Sequence, residues 1–188
     1  MSLQPLRQPV RSLIASLRFL TILPLPGSGE DDASFFDGAL FFFTITGLII
    51  GTFGALLSLL LLKLFPPLVA AGLLAVFLSL ASGFLHLDGL ADSCDGLLSS
   101  RPAEKCLEIM RDSRIGVMGA ASLCTVLLLK TAALASVAET TVFAAMILAP
   151  AAGRTAIIFM MALAPYARKT DGLGCRFYAG INRWTLLV

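Results

Sequence analysis

The stretch HLDGLADSCDGL at residues 86–97 places Asp88, Asp92 and Asp95 at i, i+4 and i+7. At 100° per residue these positions fall within ~60° of one another on an α-helix, so the three carboxylates share one stripe. Like charges at such spacing repel and weaken a helix, and a divalent cation reverses that sign. Hard ions take oxygen ligands, and Mg²⁺ is commonly held by one or two carboxylates together with substrate phosphates and water. Gly89 and Gly96 each follow an aspartate. Each lowers helix stability by ~1 kcal/mol relative to Ala, but a missing side chain leaves room for a phosphate or a neighbouring backbone.

A second acidic pattern follows in AEKCLEIMRDSRIGVMGA, where Glu104, Glu108 and Asp112 stand at i, i+4 and i+8 beside an apolar strip of Leu107, Met110 and Ile115. Two short helices, each with a carboxylate face and joined through Ser99, Ser100, Arg101 and Pro102, would close on one metal-lined cavity. Arg111 and Arg114 add forked donors that match phosphate oxygens. One or two acidic residues in a loop are ordinarily a solvated face, and Glu104 alone is accounted for by pairing with Lys105 or Arg101. Three aspartates at this spacing, abutting an apolar run and opposed by a second acidic helix, point instead to Mg²⁺. His86 lies two residues before Asp88 and points ~160° away from it on a continuous helix. It serves either as a general base, for which an ordinary pKa of ~6.5 is suited, or as a hydrogen-bonded anchor of the helix. Arg154 interrupts an apolar run, and a charge inside a membrane span is by default functional. Its two readings are a structural ion pair and a contact to a phosphate or carboxylate.

The elements that must position these groups are apolar. Of 188 residues, 57% are hydrophobic and 14% charged, where soluble domains run at about 45–50% and about 25%. Residues 38–62, 68–85, 115–138 and 141–164 each approach the ~20 residues that cross a hydrocarbon core of ~30 Å, with Lys130 and Arg154 as internal charges. The expected fold is therefore all-α: a polytopic membrane helical bundle of about four transmembrane helices, read as one integral-membrane domain over 1–188. Gly, Ala and Ser in the spans allow close helix approach. In VRSLIASLRFLTILPLP, Leu13, Ile14, Leu17 and Leu20 recur at helical spacing with Arg11 and Arg18 off that face, which predicts an interfacial helix stopped by Pro24 and Pro26, or alternatively a helical hairpin entering the bilayer. The first long apolar run is too long for the h-region of a cleavable signal.

Charge placement sets the expected orientation. Arg7, Arg11 and Arg18, then Arg101, Lys105, Arg111 and Arg114, then Arg168, Lys169, Arg176 and Arg183 make eleven of the 14 basic residues, and all fall on one side when four spans alternate. By the positive-inside rule the N-terminus, the loop 86–114 and the tail are cytoplasmic. A formal charge of +2 offers no electrostatic case for nucleic acid, and it does not set an oligomeric state. Cys94, Cys106, Cys124 and Cys175 show no CxxC pair or zinc spacing, and a cytoplasmic loop is reducing, so neither a disulfide framework nor a structural metal site is expected.

Acidic stripes, a divalent ion and arginines at a membrane surface suit transfer of a phosphorus-containing group. The sequence also resembles the cobalamin synthase family, adenosylcobinamide-GDP ribazoletransferases, in GFLHLDGLADSCDGL, LEIMRDSRIGVMGA, RFLTILPLP, RTAI and GLGCRF. The resemblance implies an integral enzyme of the cell membrane that uses Mg²⁺ to join adenosylcobinamide-GDP to α-ribazole or its 5′-phosphate with release of GMP. It implies Asp88, Asp92 and Asp95 on Mg²⁺, with Asp112 as a further ligand or as the base, and Arg111, Arg114 and Arg154 on the phosphates. The family continues through more membrane helix than this chain, which stops at INRWTLLV in mid-run. Two other readings are a CDP-alcohol-type phosphotransferase, similar in DSCDGLLSSR but lacking the downstream aspartates of that class, and a divalent-cation transporter.

Overall fold

A computed structural model describes residues 8–25, 36–167 and 177–178. Every regular element among the described residues is helical, as the apolar runs predict for a polytopic membrane protein. In chain order they are α1 (Pro9–Leu20), α2 (Phe36–Ala39), a 3-10 turn (Leu40–Phe42), α3 (Phe43–Leu64), α4 (Pro67–Ala81), α5 (Leu85–Leu97), α6 (Ala103–Ile109), α7 (Val117–Ala135) and α8 (Glu139–Leu163). Leu40–Leu64, Val117–Ala135 and Glu139–Leu163 are long and apolar enough to cross a membrane. Their outward residues are large and apolar: on α7, Leu128 is 70% and Leu129 64% exposed. Water would penalise such a surface, whereas lipid accepts it.

The second expected span is shorter than its apolar run suggests. Helix α4 ends at Ala81, ~22 Å long at 1.5 Å per residue, and α5 leaves it at 89°. The break has a local cause. Gly83 and Phe84 both have positive φ, 58° and 60°, and the Ser82 hydroxyl donates to the Leu78 and Ser79 carbonyls. Counting the bent pair as one span gives four. The aspartate stripe thus lies on its own helix, turned sharply away from the span before it.

The chain divides into two compact units, Met1–Ala55 with Ala144–Val188, and Leu56–Phe143. In the first, α1 buries Ser12, Ala15, Ser16 and Leu20, a narrow face of mainly small residues, while Leu13, Ile14 and Leu17 stay partly exposed. Ser16 Oγ and Thr46 Oγ1 lie 2.7 Å apart in a hydrogen bond. Ala15, Leu20, Ala39, Leu40, Phe43 and Phe177 form the apolar core of this unit. Gly47 and Gly51 of α3 meet the backbone of α8 directly: a Cβ on Gly51 would stand 2.6 Å from the Met146 carbonyl oxygen, and one on Gly47 2.6 Å from that of Pro150. Close backbone approach through small residues is the usual means of holding helices together in lipid.

In the second unit α4 and α5 both pack along α7, and α6 packs on α5. The turn between α5 and α6 falls where expected. Ser99 Oγ donates to the Gly96 carbonyl at 2.6 Å, Ser100 takes a left-handed φ of 55°, and Pro102 precedes α6.

Candidate functional site

Helix α5 carries all three aspartates of the stripe, but they do not share one environment. Asp88 and Asp92 line a cavity of about 630 Å³ together with Arg111, Asp112, Ser113 and Arg114. Its apolar lining includes Phe84, Leu87, Leu123 and Leu127. The charged side chains come from α5 and the segment after α6, and the apolar ones from the helix break, α5 and α7. The cavity therefore combines charged and apolar lining beside a membrane helix.

Asp95, one turn further along the same stripe, is engaged elsewhere. Gly116 N–H donates to its Oδ2 at 2.7 Å and Gly119 N–H to its Oδ1 at 2.8 Å. Both oxygens are thereby used at the N-terminus of α7, and Asp95 is not among the residues of the cavity wall. His86 is exposed on α5 and also outside that wall, in keeping with its position off the stripe.

The second acidic pattern does not form a continuous helical stripe. Helix α6 ends at Ile109, and its closing bonds, Arg111 N–H to the Glu108 carbonyl and Asp112 N–H to that of Ile109, tighten to i→i−3. Asp112 then turns its side chain back on the chain: Arg114 N–H donates to Asp112 Oδ1 at 3.0 Å. Such local side-chain bonds compete with helix continuation. Glu108 pairs with Lys105 at 2.6 Å on an exposed surface, and neither it nor Glu104 lines the cavity. Only Asp112 of this set reaches the cavity.

Asp112 and Arg114 form a forked pair. Arg114 Nε donates to Oδ1 at 2.9 Å and Nη2 to Oδ2 at 2.5 Å. The side-chain hydrogen bonds from Arg114, then its backbone N–H, bring the Asp112 carboxyl down from 3.8 to about 2. The same pairing raises the pKa of Arg114. Asp112 is therefore a firmly ionised oxygen donor and a weak base. Arg111, by contrast, makes no side-chain hydrogen bond or ion pair among the described residues, and its guanidinium is available at the cavity wall.

Arg154 lies on α8 in the other unit. It is 7% exposed. Its Nη1 donates to the Pro150 carbonyl at 3.4 Å, while Nε and Nη2 have no hydrogen-bond partner among the described residues.

Among the described residues no group of three or more His, Cys, Asp or Glu side chains is drawn together closely enough to hold an ion by itself. Sequence reasoning did not single out Gly116 and Gly119. The signal was their place three apart at the start of an apolar run, beside a helix rich in carboxylates. The basic tail, Cys175 and most of GLGCRF lie outside the described residues.

Comparison with known proteins agrees with the sequence resemblance. The family model described as cobalamin-5-phosphate synthase matches residues 12–188. Proteins named adenosylcobinamide-GDP ribazoletransferase are similar throughout. That of Clostridium novyi (strain NT) is 32% identical over 95% of this chain and 72% of its own length. That of Desulfitobacterium hafniense (strain Y51) is 38% identical over 95% and 72%, and that of Roseiflexus sp. (strain RS-1) 41% identical over 90% and 62%. The chain thus spans from 62% to 72% of these curated relatives. No solved structure gives a significant match. A family model covering nearly the whole chain, and relatives 32–41% identical over 90–95% of it, place the chain in the cobalamin-5-phosphate synthase family of enzymes.

Proposed function

We propose that the protein transfers the adenosylcobinamide phosphate group from adenosylcobinamide-GDP to α-ribazole or its 5′-phosphate, releasing GMP, at the cavity between α5 and α7. The observation that carries this reading is the joining of Asp88, Asp92, Asp112, Arg111 and Arg114 in one cavity that is also lined by Phe84, Leu123 and Leu127. The charged lining suits a diphosphate. The apolar lining suits a flat, poorly soluble base.

The residues fit Mg²⁺. Asp88, Asp92 and Asp112 are hard oxygen donors around one cavity, and an ion of this kind usually completes its shell with substrate phosphates and water rather than with a full protein cage. Mg²⁺ bound there would supply charge neutralisation on the diphosphate oxygens. Arg111 binds a phosphate oxygen, with the geometric match of guanidinium to phosphate fixing its orientation. Asp112, held ionised by Arg114, serves as a metal-facing carboxylate rather than as the base. Asp92 takes the proton of the acceptor hydroxyl as that oxygen bonds to the phosphorus nearer cobinamide. The bond from that phosphorus to the GMP oxygen breaks, and GMP leaves. Arg154 is an anion-binding group of its own unit, supported by Nε and Nη2, which have no hydrogen-bond partner among the described residues.

The positions of Lys and Arg support a protein of the cell membrane with its N-terminus and the loop 86–114 in the cytoplasm. A reporter fused after Glu139 is expected outside the cytoplasm. The reaction itself is tested by incubating membranes that carry the protein with adenosylcobinamide-GDP, α-ribazole and Mg²⁺. GMP release dependent on both substrates is expected, and a relative that reacts under the same conditions while this chain does not would overturn the proposal for this chain.

A further inference from the structure

We propose that Asp95 is a positioning residue that ties α5 to the start of α7 and so fixes the Arg111–Ile115 segment against Asp88 and Asp92. The proposal rests on reading the cavity as the site of transfer. It separates Asp95 from the two aspartates that share its stripe.

Helix α7 begins at Val117 after Gly116, which has no side chain with which to cap it. The first N–H groups of a helix need an acceptor, and the positive end of its dipole favours a carboxylate. Asp95 supplies both from more than 20 residues away in sequence, through Gly116 N–H at 2.7 Å and Gly119 N–H at 2.8 Å. The two glycines are the other half of the arrangement. A Cβ on Gly116 would run into the Asp95 carboxylate, and one on Gly119 would meet that carboxylate and also stand 2.9 Å from the Ala91 carbonyl oxygen. The carboxylate and the two bare backbone positions fit only together. Immediately before Gly116 come Arg111, Asp112 and Arg114, all on the cavity wall. Anchoring Gly116 to α5 therefore sets how far these groups stand from Asp88 and Asp92, seven and three residues before Asp95 on the same helix.

Four proteins in detergent decide the matter: wild type, Asp95→Ala, Gly116→Ala and the double variant. GMP release, the Mg²⁺ concentration for half-maximal rate, the melting temperature and Mn²⁺ binding by electron paramagnetic resonance are measured on each. Displacing a charged wall by about 1 Å is expected to lower kcat on the order of 10²-fold in Asp95→Ala and, because Asp112 moves with that wall, to raise the Mg²⁺ requirement and weaken Mn²⁺ binding by about 10–100-fold, together with a lower melting temperature. Gly116→Ala is expected to lower both kcat and melting temperature in the wild-type background, and to lower neither further in the Asp95→Ala background, where the carboxylate it strikes is gone. Lost Mn²⁺ affinity in Asp95→Ala at an unchanged melting temperature, with Gly116→Ala binding Mn²⁺ as wild type does, would make Asp95 a direct metal ligand and overturn the proposal. Additive losses in the double variant would overturn it as well. If wild type releases no GMP, the transfer reading falls, while Mn²⁺ affinity and the coupling of melting temperatures between positions 95 and 116 still decide the role of Asp95.

Discussion

Arg114 closes a two-pronged ion pair on Asp112, with Nε 2.9 Å from Oδ1 and Nη2 2.5 Å from Oδ2. The pair holds the carboxyl at about 2, below its ordinary 3.8. A depressed carboxylate pKa contributes stability that is complete above the unfolded value and is lost as pH falls through the folded one. The window for Asp112 is therefore the acid side of 3.8 down to about 2. Both partners are substantially exposed, so the effect on overall stability is small. The site-specific consequence is sharper. In Arg114→Gln, the carboxyl signal of Asp112, followed by isotope-edited infrared titration, is expected to move up toward 3.8. A titration unchanged from wild type would show that Arg114 does not hold the carboxylate.

Asp92 is the carboxylate assigned to proton removal, and with Asp88 it belongs to the acidic wall of the cavity. Asp92→Asn keeps the shape and removes the base. GMP release is expected to fall on the order of 10²–10⁴-fold, the usual range for loss of a positioned acid or base, with the variant still recovered in the membrane fraction. A chelator should stop wild-type release and added Mg²⁺ restore it. Full activity in Asp92→Asn would remove both roles from this residue.

Much of this organisation is legible in the sequence, and the exceptions have identifiable physical causes. Apolar runs of 18 to 25 residues located the helices because lipid demands continuous apolar surface, and the i, i+4, i+7 spacing correctly put Asp88, Asp92 and Asp95 on one helix. The 89° bend was not legible. It depends on Phe84 in a left-handed conformation, which its residue type does not announce. The end of α6 before Asp112 was equally hidden, since the competitor for the helix is a side-chain bond from Asp112 to its own downstream backbone. The division of the stripe between Asp95 and its two neighbours depends on where α7 begins in space, and periodicity along one helix carries no information about the helix beside it.

Gly51 and Gly153 offer a paired test of the helix packing. A Cβ on Gly51 would lie 2.6 Å from the Met146 carbonyl oxygen and 2.7 Å from that of Ile147, both backbone, whereas one on Gly153 meets nothing within 4 Å. Gly51→Ala is expected to cost about 1–3 kcal/mol as overpacking. Gly153→Ala is expected to gain up to ~1 kcal/mol from helix propensity. Melting temperatures in the same detergent should therefore move in opposite directions, and equal shifts would mean that α3 does not approach α8 through Gly51.

Arg154 is 7% exposed, and two of its nitrogens have no hydrogen-bond partner among the described residues. The contact it makes there, Nη1 to the Pro150 carbonyl at 3.4 Å, is long for a hydrogen bond. A charge kept in this state destabilises the fold, so its retention needs a reason outside packing. Exchange of a poorly compensated buried ion for an apolar side chain of similar volume is often neutral or stabilising by about 1–4 kcal/mol. Arg154→Met is accordingly expected to melt at the same or a higher temperature than wild type and to lose transfer activity, the trade expected of a residue kept for an anion. Arg154→Lys, which keeps the charge but not the fork, should recover only part of the activity. A lower melting temperature in Arg154→Met with activity unchanged would instead assign the guanidinium a structural role.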